Sequence, residues 1–115
     1  MSNSTLVGRY GESIAADFLR KKGFEIFASG YRGRYGEIDI VAGKNNVVCF
    51  VEVKTRQDES YLPARTAVGE AKRRRIMLTA QQWIQENDCR CQVSFDIIEI
   101  YLKTKQIRYI PNAFV

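Results

Sequence analysis

Two apolar runs joined by the tetrapeptide GKNN restrict the fold of this chain more than any other feature. The runs, residues 37–42 and 47–55, are rich in Val and Ile, which favour β-strands. GKNN is a short link of the kind that closes hairpins. This segment therefore predicts two neighbouring strands that pair through a tight turn.

Charged residues interrupt both predicted strands. Successive side chains on a strand point to opposite faces, so Asp39 lies opposite Ile38 and Ile40, and Glu52 and Lys54 share one face. If the strands pair through the turn, Asp39, Glu52 and Lys54 converge near one end of the sheet. A buried carboxylate without a partner is costly, so this cluster needs a compensating cation.

The rest of the chain supplies helices and further strands around the hairpin. Helical spacing predicts helices over residues 5–22 and 67–87. The first helix carries an apolar stripe that includes Tyr10. Shorter apolar runs predict strands at 24–28, 93–102 and 107–110, and QDESYLPART reads as a polar loop. The order αβββαβ, with a final edge strand, predicts an α/β fold with a mixed central sheet flanked by helices, in a single domain spanning residues 1–115.

Composition limits the chemistry that is available. The chain has 18 basic and 13 acidic side chains, a net charge of +5, which favours a polyanionic partner. The absence of His removes Ser-His-Asp and Cys-His catalysis and His-ligated zinc. The three Cys are too few for an ordinary structural zinc site, so we expect them to be reduced. Catalysis would have to rest on carboxylates, Lys, Tyr, a thiol or a hard metal ion.

The chain contains no pattern typical of export or of membrane insertion. The N-terminus lacks the basic and apolar regions of a signal peptide, and the longest apolar run, VVCFV, is far shorter than a membrane span. We therefore expect a soluble, cytoplasmic protein without a membrane partner. No segment predicts a small-molecule cofactor.

Asp39 and Glu52 offer the oxygen donors that Mg²⁺ or Mn²⁺ prefers. A metal ion held there with a backbone carbonyl and waters would acidify bound water and stabilise charge on a phosphoryl group. Lys54 would position the nucleophile. The structural alternative is a cross-strand ladder of ion pairs, but such ladders favour exposed strands, whereas these residues are embedded in apolar sequence.

Glu12 is a further candidate because of its place on the first helix. On a helical wheel it falls with Ala15, Ala16 and Leu19 rather than on the polar arc. A second or shared metal position would explain a carboxylate on a partly buried face. A surface-edge Glu paired with an Arg is the alternative.

Basic residues supply candidates for contacts with a phosphate backbone. Lys72 and Arg73 continue the stripe of Ile76 on the second helix, whereas Arg74 and Arg75 point outward. We expect Lys72 and Arg73 to bind nucleic acid, with snorkelling surface residues as the alternative.

The turn GYRGRYG provides Arg32 and Arg34 as further nucleic-acid candidates. One of these two arginines is also expected to pair with Glu37. Asp96 lies among strand residues, where we expect it to hold a turn by hydrogen bonding rather than to act in catalysis.

These residues resemble the D-x(n)-E-x-K signature of the PD-D/ExK nuclease superfamily, with twelve residues between Asp39 of GEIDI and Glu52 of FVEVKTR. From GRYGE through AVGEAKRRR to SFDIIEI, the chain is similar to the YraN-like family of predicted endonucleases, which are related to archaeal Holliday junction resolvases. The resemblance implies a restriction-endonuclease-like αβββαβ core. It also implies that Mg²⁺ or Mn²⁺ supports hydrolysis of DNA phosphodiester bonds, with branched or flapped DNA as one alternative substrate.

The resemblance further implies a role for each matching residue. Asp39 and Glu52 would be metal ligands, Val53 would offer its carbonyl, Lys54 would orient the attacking water, and Glu12 would assist the metal.

The chain departs from the family pattern at two positions. It has Gly30 where the family usually has Asn, and Ser94 where Arg usually precedes the FD pair. We expect these departures to affect the grip on substrate more than the chemistry. A nucleic-acid-binding module without turnover is the main alternative function, and an adaptor that docks on an acidic protein is the third. A homodimer is left open.

Overall fold

The computed structural model describes residues 3–57 and 68–114 of the 115-residue chain. These residues form two helices and five strands in the predicted αβββαβ order, and the final edge strand is confirmed. The predicted polar loop lies outside the described residues from position 58 onward. The elements are α1 (Asn3–Lys21), β1 (Glu25–Arg32), β2 (Glu37–Lys44), β3 (Val47–Arg56), α2 (Glu70–Glu86), β4 (Gln92–Tyr101) and β5 (Gln106–Ile110).

The five strands form one mixed sheet in the order β1-β2-β3-β4-β5. β3 and β4 are parallel, and every other neighbouring pair is antiparallel. The predicted hairpin joins β2 to β3, with Lys44 opposite Val47. Asn45 and Asn46, the two residues between them, have φ angles of 52° and 64°. Positive φ at both central positions defines a type I′ turn, and Asn tolerates this conformation better than most residues.

A helix covers each face of the sheet and creates two separate cores. On one face, Ala15 and Leu19 of α1 pack in a cluster with Val51 at the centre of β3. On the other face, Ala80 and Trp83 of α2 pack in a cluster that includes Phe50 and Ile97. Because both faces of the central strands are buried, the first half of β3 is the continuous apolar run VVCFV.

Small residues bring α1 close to the sheet. Ala15 and Ala16 are buried, whereas Tyr10, which the sequence placed on the apolar stripe, is 61% exposed. Gly11 lies so close to β3 that a Cβ there would collide with the side chain of Thr55. Among the described residues, neither helix is long and apolar enough to cross a membrane.

The strict alternation predicted for β2 fails at Ile38. Ile38 packs in the core under α2, whereas Ile40 packs in the core under α1, so these two residues do not share a face. The pairing of β2 with β3 also ends at Ile40 and Val51. β2 thus separates from β3 at Asp39, although its pairing with β1 continues to Glu37.

Asp96 holds the C-terminal turn, as predicted. Its carboxylate accepts hydrogen bonds from the Tyr109 hydroxyl (2.6 Å), from the N–H of Asn112 (3.0 Å) and from the Ser94 hydroxyl. Asp96 is completely buried, and these three donors satisfy its charge.

The prediction of three reduced cysteines is wrong for two of them. Cys89 and Cys91, beyond the end of α2, are joined by a disulfide bond. Cys49 in β3 is a free, buried thiol.

Candidate metal and nucleic-acid site

A cleft of about 480 Å³ opens between α1, the first turns of α2, and the place where β2 separates from β3. Four acidic and four basic side chains line it, which makes it strongly polar. Five of these are residues that the sequence proposed as site residues. The charged residues of the cleft are Arg9, Glu12, Arg32, Glu37, Asp39, Glu52, Lys72 and Arg75.

Asp39 lies at the floor of the cleft because β2 departs from β3 there. Its Oδ2 accepts a hydrogen bond of 2.8 Å from the backbone N–H of Val53. The ladder between β2 and β3 has already ended at Ile40 and Val51, so the carboxylate supplies an acceptor where the neighbouring backbone has moved away. The structure thus brings Asp39 beside the segment of β3 that carries Glu52.

Glu52 is buried, with 5% of its surface exposed, although it carries a carboxylate. Its Oε1 lies 2.9 Å from Nζ of Lys72 on α2. Its Oε2 is buried and has no hydrogen-bond partner among the described residues. One oxygen of this carboxylate is therefore satisfied and the other is not, which is unusual for a buried charge.

The carboxylates of the cleft repel one another. Burial, and after it the charge of Glu52, raises the pKa of Asp39 to about 7, while the hydrogen bond from Val53 acts in the opposite direction. Burial also raises the pKa of Glu12, with further contributions from Glu37 and Glu52. A cation beside the carboxylates of Asp39 and Glu52 would therefore be stabilised.

Two lysines approach these carboxylates from different elements. Lys54 on β3 is half-buried, and burial together with the neighbouring ammonium of Lys72 lowers its pKa. Burial would also lower the pKa of Lys72, but the hydrogen bond and charge of Glu52 outweigh this effect and the net shift is upward. Lys54 lies within electrostatic range of Glu52 and Asp39, as the strand geometry predicted.

Glu37 pairs with a turn arginine, as expected. Its Oε2 lies 3.4 Å from the guanidinium of Arg32, and both side chains are substantially exposed. Arg32 lines the cleft. Arg34 instead lies over the ring of Tyr35, 5.8 Å from its centroid, and is not one of the cleft residues that the structure describes.

The basic start of α2 differs from the prediction. Lys72 enters the cleft, but the Nε of Arg73 donates to the carbonyl of Val68 over 2.9 Å, and its guanidinium lies over the ring of Phe114. Arg73 is not among the described residues that line the cleft. Arg75, which the sequence placed on the outward side, does line it.

Arg9 is another cleft residue that the sequence did not propose as part of the site. It belongs to the polar arc of α1, and the helical pattern gave no sign that this arc borders the site. A second pocket of about 480 Å³ adjoins the first and shares Arg9, Glu12 and Glu37 with it. The two pockets form a groove that continues toward Arg20 and Gly30.

The two departures from the family pattern lie in different places. Gly30 borders the groove and has φ of +69°, a conformation that Asn also tolerates well. Ser94 instead is buried and donates to Asp96 and Asn112, away from the cleft. Of these two residues, only Gly30 therefore borders the groove.

The donors of the cleft suit a hard divalent cation. Carboxylate oxygens are the usual protein ligands of Mg²⁺ and Mn²⁺, and the unpartnered Oε2 of Glu52 is the kind of atom such an ion would satisfy. Within residues 3–57 and 68–114, however, no three acidic or cysteine side chains already stand in an arrangement that could hold a metal ion. Water or other oxygen donors would have to complete the coordination shell of such an ion.

Comparison with known proteins finds one family that this chain resembles over most of its length. The model of the family described as "Uncharacterised protein family UPF0102" matches residues 11–100. A UPF0102 protein of Rhodococcus opacus (strain B4) is 36% identical over 118 residues, covering 99% of this chain and all of that protein. A UPF0102 protein of Alkaliphilus metalliredigens (strain QYMF) is 39% identical, with 96% and 99% covered. One of Trichlorobacter lovleyi (strain ATCC BAA-1151 / DSM 17278 / SZ) is 41% identical, with 94% and 89% covered.

Proposed function

This chain belongs to the UPF0102 family, and we propose that it is a divalent-metal-dependent endonuclease that hydrolyses DNA phosphodiester bonds. The observation that carries the proposal is the environment of Glu52. This carboxylate is buried at the floor of a polar cleft, one of its oxygens has no partner, and Asp39 lies close enough to raise the electrostatic cost of both charges. A site of this kind favours a cation that the polypeptide alone supplies only in part.

The fold is compatible with this proposal. The element order αβββαβ and the mixed sheet are what a restriction-endonuclease-like core requires. In the proposed assignment, Asp39 and Glu52 would hold the metal ion, the carbonyl of Val53 would be a further ligand, and Glu12 would contribute from α1. A bound divalent ion supplies Lewis-acid stabilisation of phosphoryl charge and a more acidic water.

The basic residues take the remaining roles. Lys54, half-buried beside both carboxylates, holds the attacking water or a phosphate oxygen. Arg9, Arg32 and Arg75 surround the cleft and hold the flanking phosphates, because cations opposite the backbone supply most of the sequence-independent affinity for nucleic acid. The substrate strand would run along the groove toward Arg20.

One observation favours a second candidate, a nucleic-acid-binding module without turnover. Lys72 already neutralises one oxygen of Glu52, and the described residues contain no complete metal cage. In that case the basic rim would bind DNA while the carboxylates formed a structural ion pair with Lys72. Divalent-ion-dependent cleavage separates the two candidates.

The test is a cleavage panel of single-stranded, duplex, flap and four-way DNA, with and without Mn²⁺. Asp39→Asn protein, purified in parallel, is the control, since it keeps the size and the hydrogen bond to Val53 but not the negative charge. The nuclease proposal expects Mn²⁺-dependent products from the parent protein only. Equal cleavage by the Asp39→Asn protein would assign the activity to a contaminant, and DNA binding without cleavage would favour the binding module.

A further inference from the structure

An ion pair in the cleft joins a buried carboxylate to a partly exposed ammonium group. Nζ of Lys72 lies 2.9 Å from Oε1 of Glu52, and the side chain of Glu52 is 6% exposed while that of Lys72 is 38% exposed. Glu52 is fixed on β3, where it pairs with Ile97 of the neighbouring β4. Lys72 reaches it from the first turn of α2 through a flexible four-carbon chain. Only Lys72 can leave this contact without moving the sheet.

We propose that Lys72 is an internal counter-ion, which occupies the cation position at Glu52 until a divalent metal ion displaces it. This inference rests on the proposed function, because it takes Glu52 as a metal ligand. It assigns Lys72 a positioning and competing role at the metal site rather than only a contact with nucleic acid.

The hydrogen-bond pattern of Glu52 supports competition rather than a permanent structural pair. The ammonium group satisfies Oε1 but leaves Oε2 buried and without a partner among the described residues. A permanent buried ion pair is stable only when further hydrogen bonds satisfy its remaining atoms. A divalent ion carries twice the charge of the ammonium group and would bring waters to the same carboxylate.

Lys54 adds electrostatic repulsion to the ion pair of Lys72 with Glu52. Lys54 and Lys72 stand close enough for their charges to repel each other, and both face Glu52. A metal ion that replaces Lys72 leaves Lys54 in its place on β3 and removes Lys72 to the solvent side of the cleft. Metal-free protein is thereby spared an unpaired buried charge, and its affinity for metal is reduced by the competition.

The experiment compares Mn²⁺ binding by the parent protein, Lys72→Met and Lys72→Gln. Met keeps most of the chain length without charge, whereas Gln keeps a donor for Glu52 without charge, so the pair guards against misfolding of either variant. Arg75→Met is the matched control, because it removes the same charge from the same cleft and, among the described residues, Arg75 makes no ion pair. The readouts are calorimetric affinity and the shift of Tm caused by Mn²⁺.

Competition predicts that both Lys72 variants bind Mn²⁺ at least about fivefold more tightly than the parent, the lower limit of coupling between two neighbouring ligands. Their Tm should also rise more with Mn²⁺. Arg75→Met should change the affinity for Mn²⁺ by less than about half of this fivefold factor. Binding by the parent with no gain in either Lys72 variant, or an equal gain in Arg75→Met, would overturn the counter-ion inference. Absence of Mn²⁺ binding in all proteins, with and without DNA, would instead overturn the proposed function.

Discussion

Oδ2 of Asp39 accepts a hydrogen bond of 2.8 Å from the backbone N–H of Val53. Val53 lies between Glu52 and Lys54, so this single contact ties β2 to the segment of β3 that carries these two charges. The contact forms where the regular ladder between the strands has ended. A change in the charge of Asp39 therefore acts directly on the whole cluster, and the first predictions concern this residue.

The affinity for Mn²⁺ should depend on pH through Asp39. Burial and the charge of Glu52 raise the pKa of Asp39 to about 7, and a metal ion binds only the ionised form. As the pH is raised toward about 7, the affinity for Mn²⁺ should increase by about tenfold per pH unit, and above about pH 7 it should level off. Calorimetry in two buffers of different ionisation enthalpy should show release of about one proton at acidic pH and almost none at about pH 8. Affinity that is constant across this range would contradict the assignment.

The raised pKa of Asp39 also has a consequence for stability. Between pH 3.8 and about pH 7, Asp39 is more often protonated in the folded state than in the unfolded state. The contribution of Asp39 to the free energy of unfolding therefore falls as the pH rises through this window and is constant above it. Without metal, Asp39→Asn should therefore be more stable than the parent above about pH 7, by roughly 1–3 kcal/mol, and lose this advantage below about pH 4. Thermal unfolding at both ends of the window checks it, and a variant that is less stable at every pH would show that Asp39 is not electrostatically strained.

Asp39→Asn and Lys54→Ala should share one effect and differ in another. Both should lower Mn²⁺-dependent cleavage by about 10²-fold or more, because each removes a charge that the reaction uses. Without metal, Asp39→Asn should bind DNA equally or more tightly, whereas Lys54→Ala should bind slightly more weakly. Fluorescence anisotropy with a labelled oligonucleotide measures the binding.

The control for both variants is a test that each one is folded. Far-ultraviolet circular dichroism should be unchanged in each. Loss of folding in both would identify the cluster as a structural ladder of ion pairs, and parent-like cleavage in both would place any activity elsewhere.

The hairpin and its charges were the part of the site that a sequence can predict. Strand periodicity placed Asp39, Glu52 and Lys54 near one another because a type I′ turn permits only a narrow range of registers. The same periodicity was wrong for Ile38, which packs in the core under α2 although Ile40 packs in the core under α1. On the N-terminal side of Ile40, β2 no longer pairs with β3, and there the Asp39 carboxylate accepts a hydrogen bond from the N–H of Val53.

The sequence could not predict the contacts between separate helices and strands. Lys72 and Arg73 are neighbours with similar chemistry, yet one bonds Glu52 and the other bonds the carbonyl of Val68. The partner that each side chain reaches depends on the rotation of α2 against the sheet, and the spacing of residues along the sequence determines this rotation only approximately. Arg75 entered the cleft for the same reason, since a helical wheel cannot show which exposed residues border a neighbouring helix.

The salt dependence of DNA binding should identify the phosphate contacts. Arg9→Ala and Arg75→Ala should each reduce the slope of log affinity against log salt by about one unit, since each removes one cation from the cleft. Arg73→Ala should reduce it less, because its guanidinium is engaged by Val68 and Phe114. Titrations at several salt concentrations measure these slopes.

Arg90→Ala is the control for this series. Arg90 lies beyond the C-terminal end of α2, about 24 Å along the helix direction from its first turn at 1.5 Å per residue, and it pairs with Asp88 at the surface. Its removal should leave the slope unchanged. An equal loss for Arg90 and Arg75 would mean that DNA binds the whole basic surface rather than the cleft.

Two glycines of α1 should respond oppositely to the same substitution. A Cβ on Gly8 would meet no atom within 4 Å, so Gly8→Ala should stabilise the helix by about 0.5–1 kcal/mol. A Cβ on Gly11 would collide with Thr55, so Gly11→Ala should lower the free energy of unfolding by roughly 1–3 kcal/mol and push Glu12 away from the cleft. Denaturant unfolding measures both. Adding Thr55→Ala to Gly11→Ala should recover most of the loss, because it removes the colliding hydroxyl, and a double variant as unstable as the single one would show that close packing of α1 on β3 is not what requires glycine there.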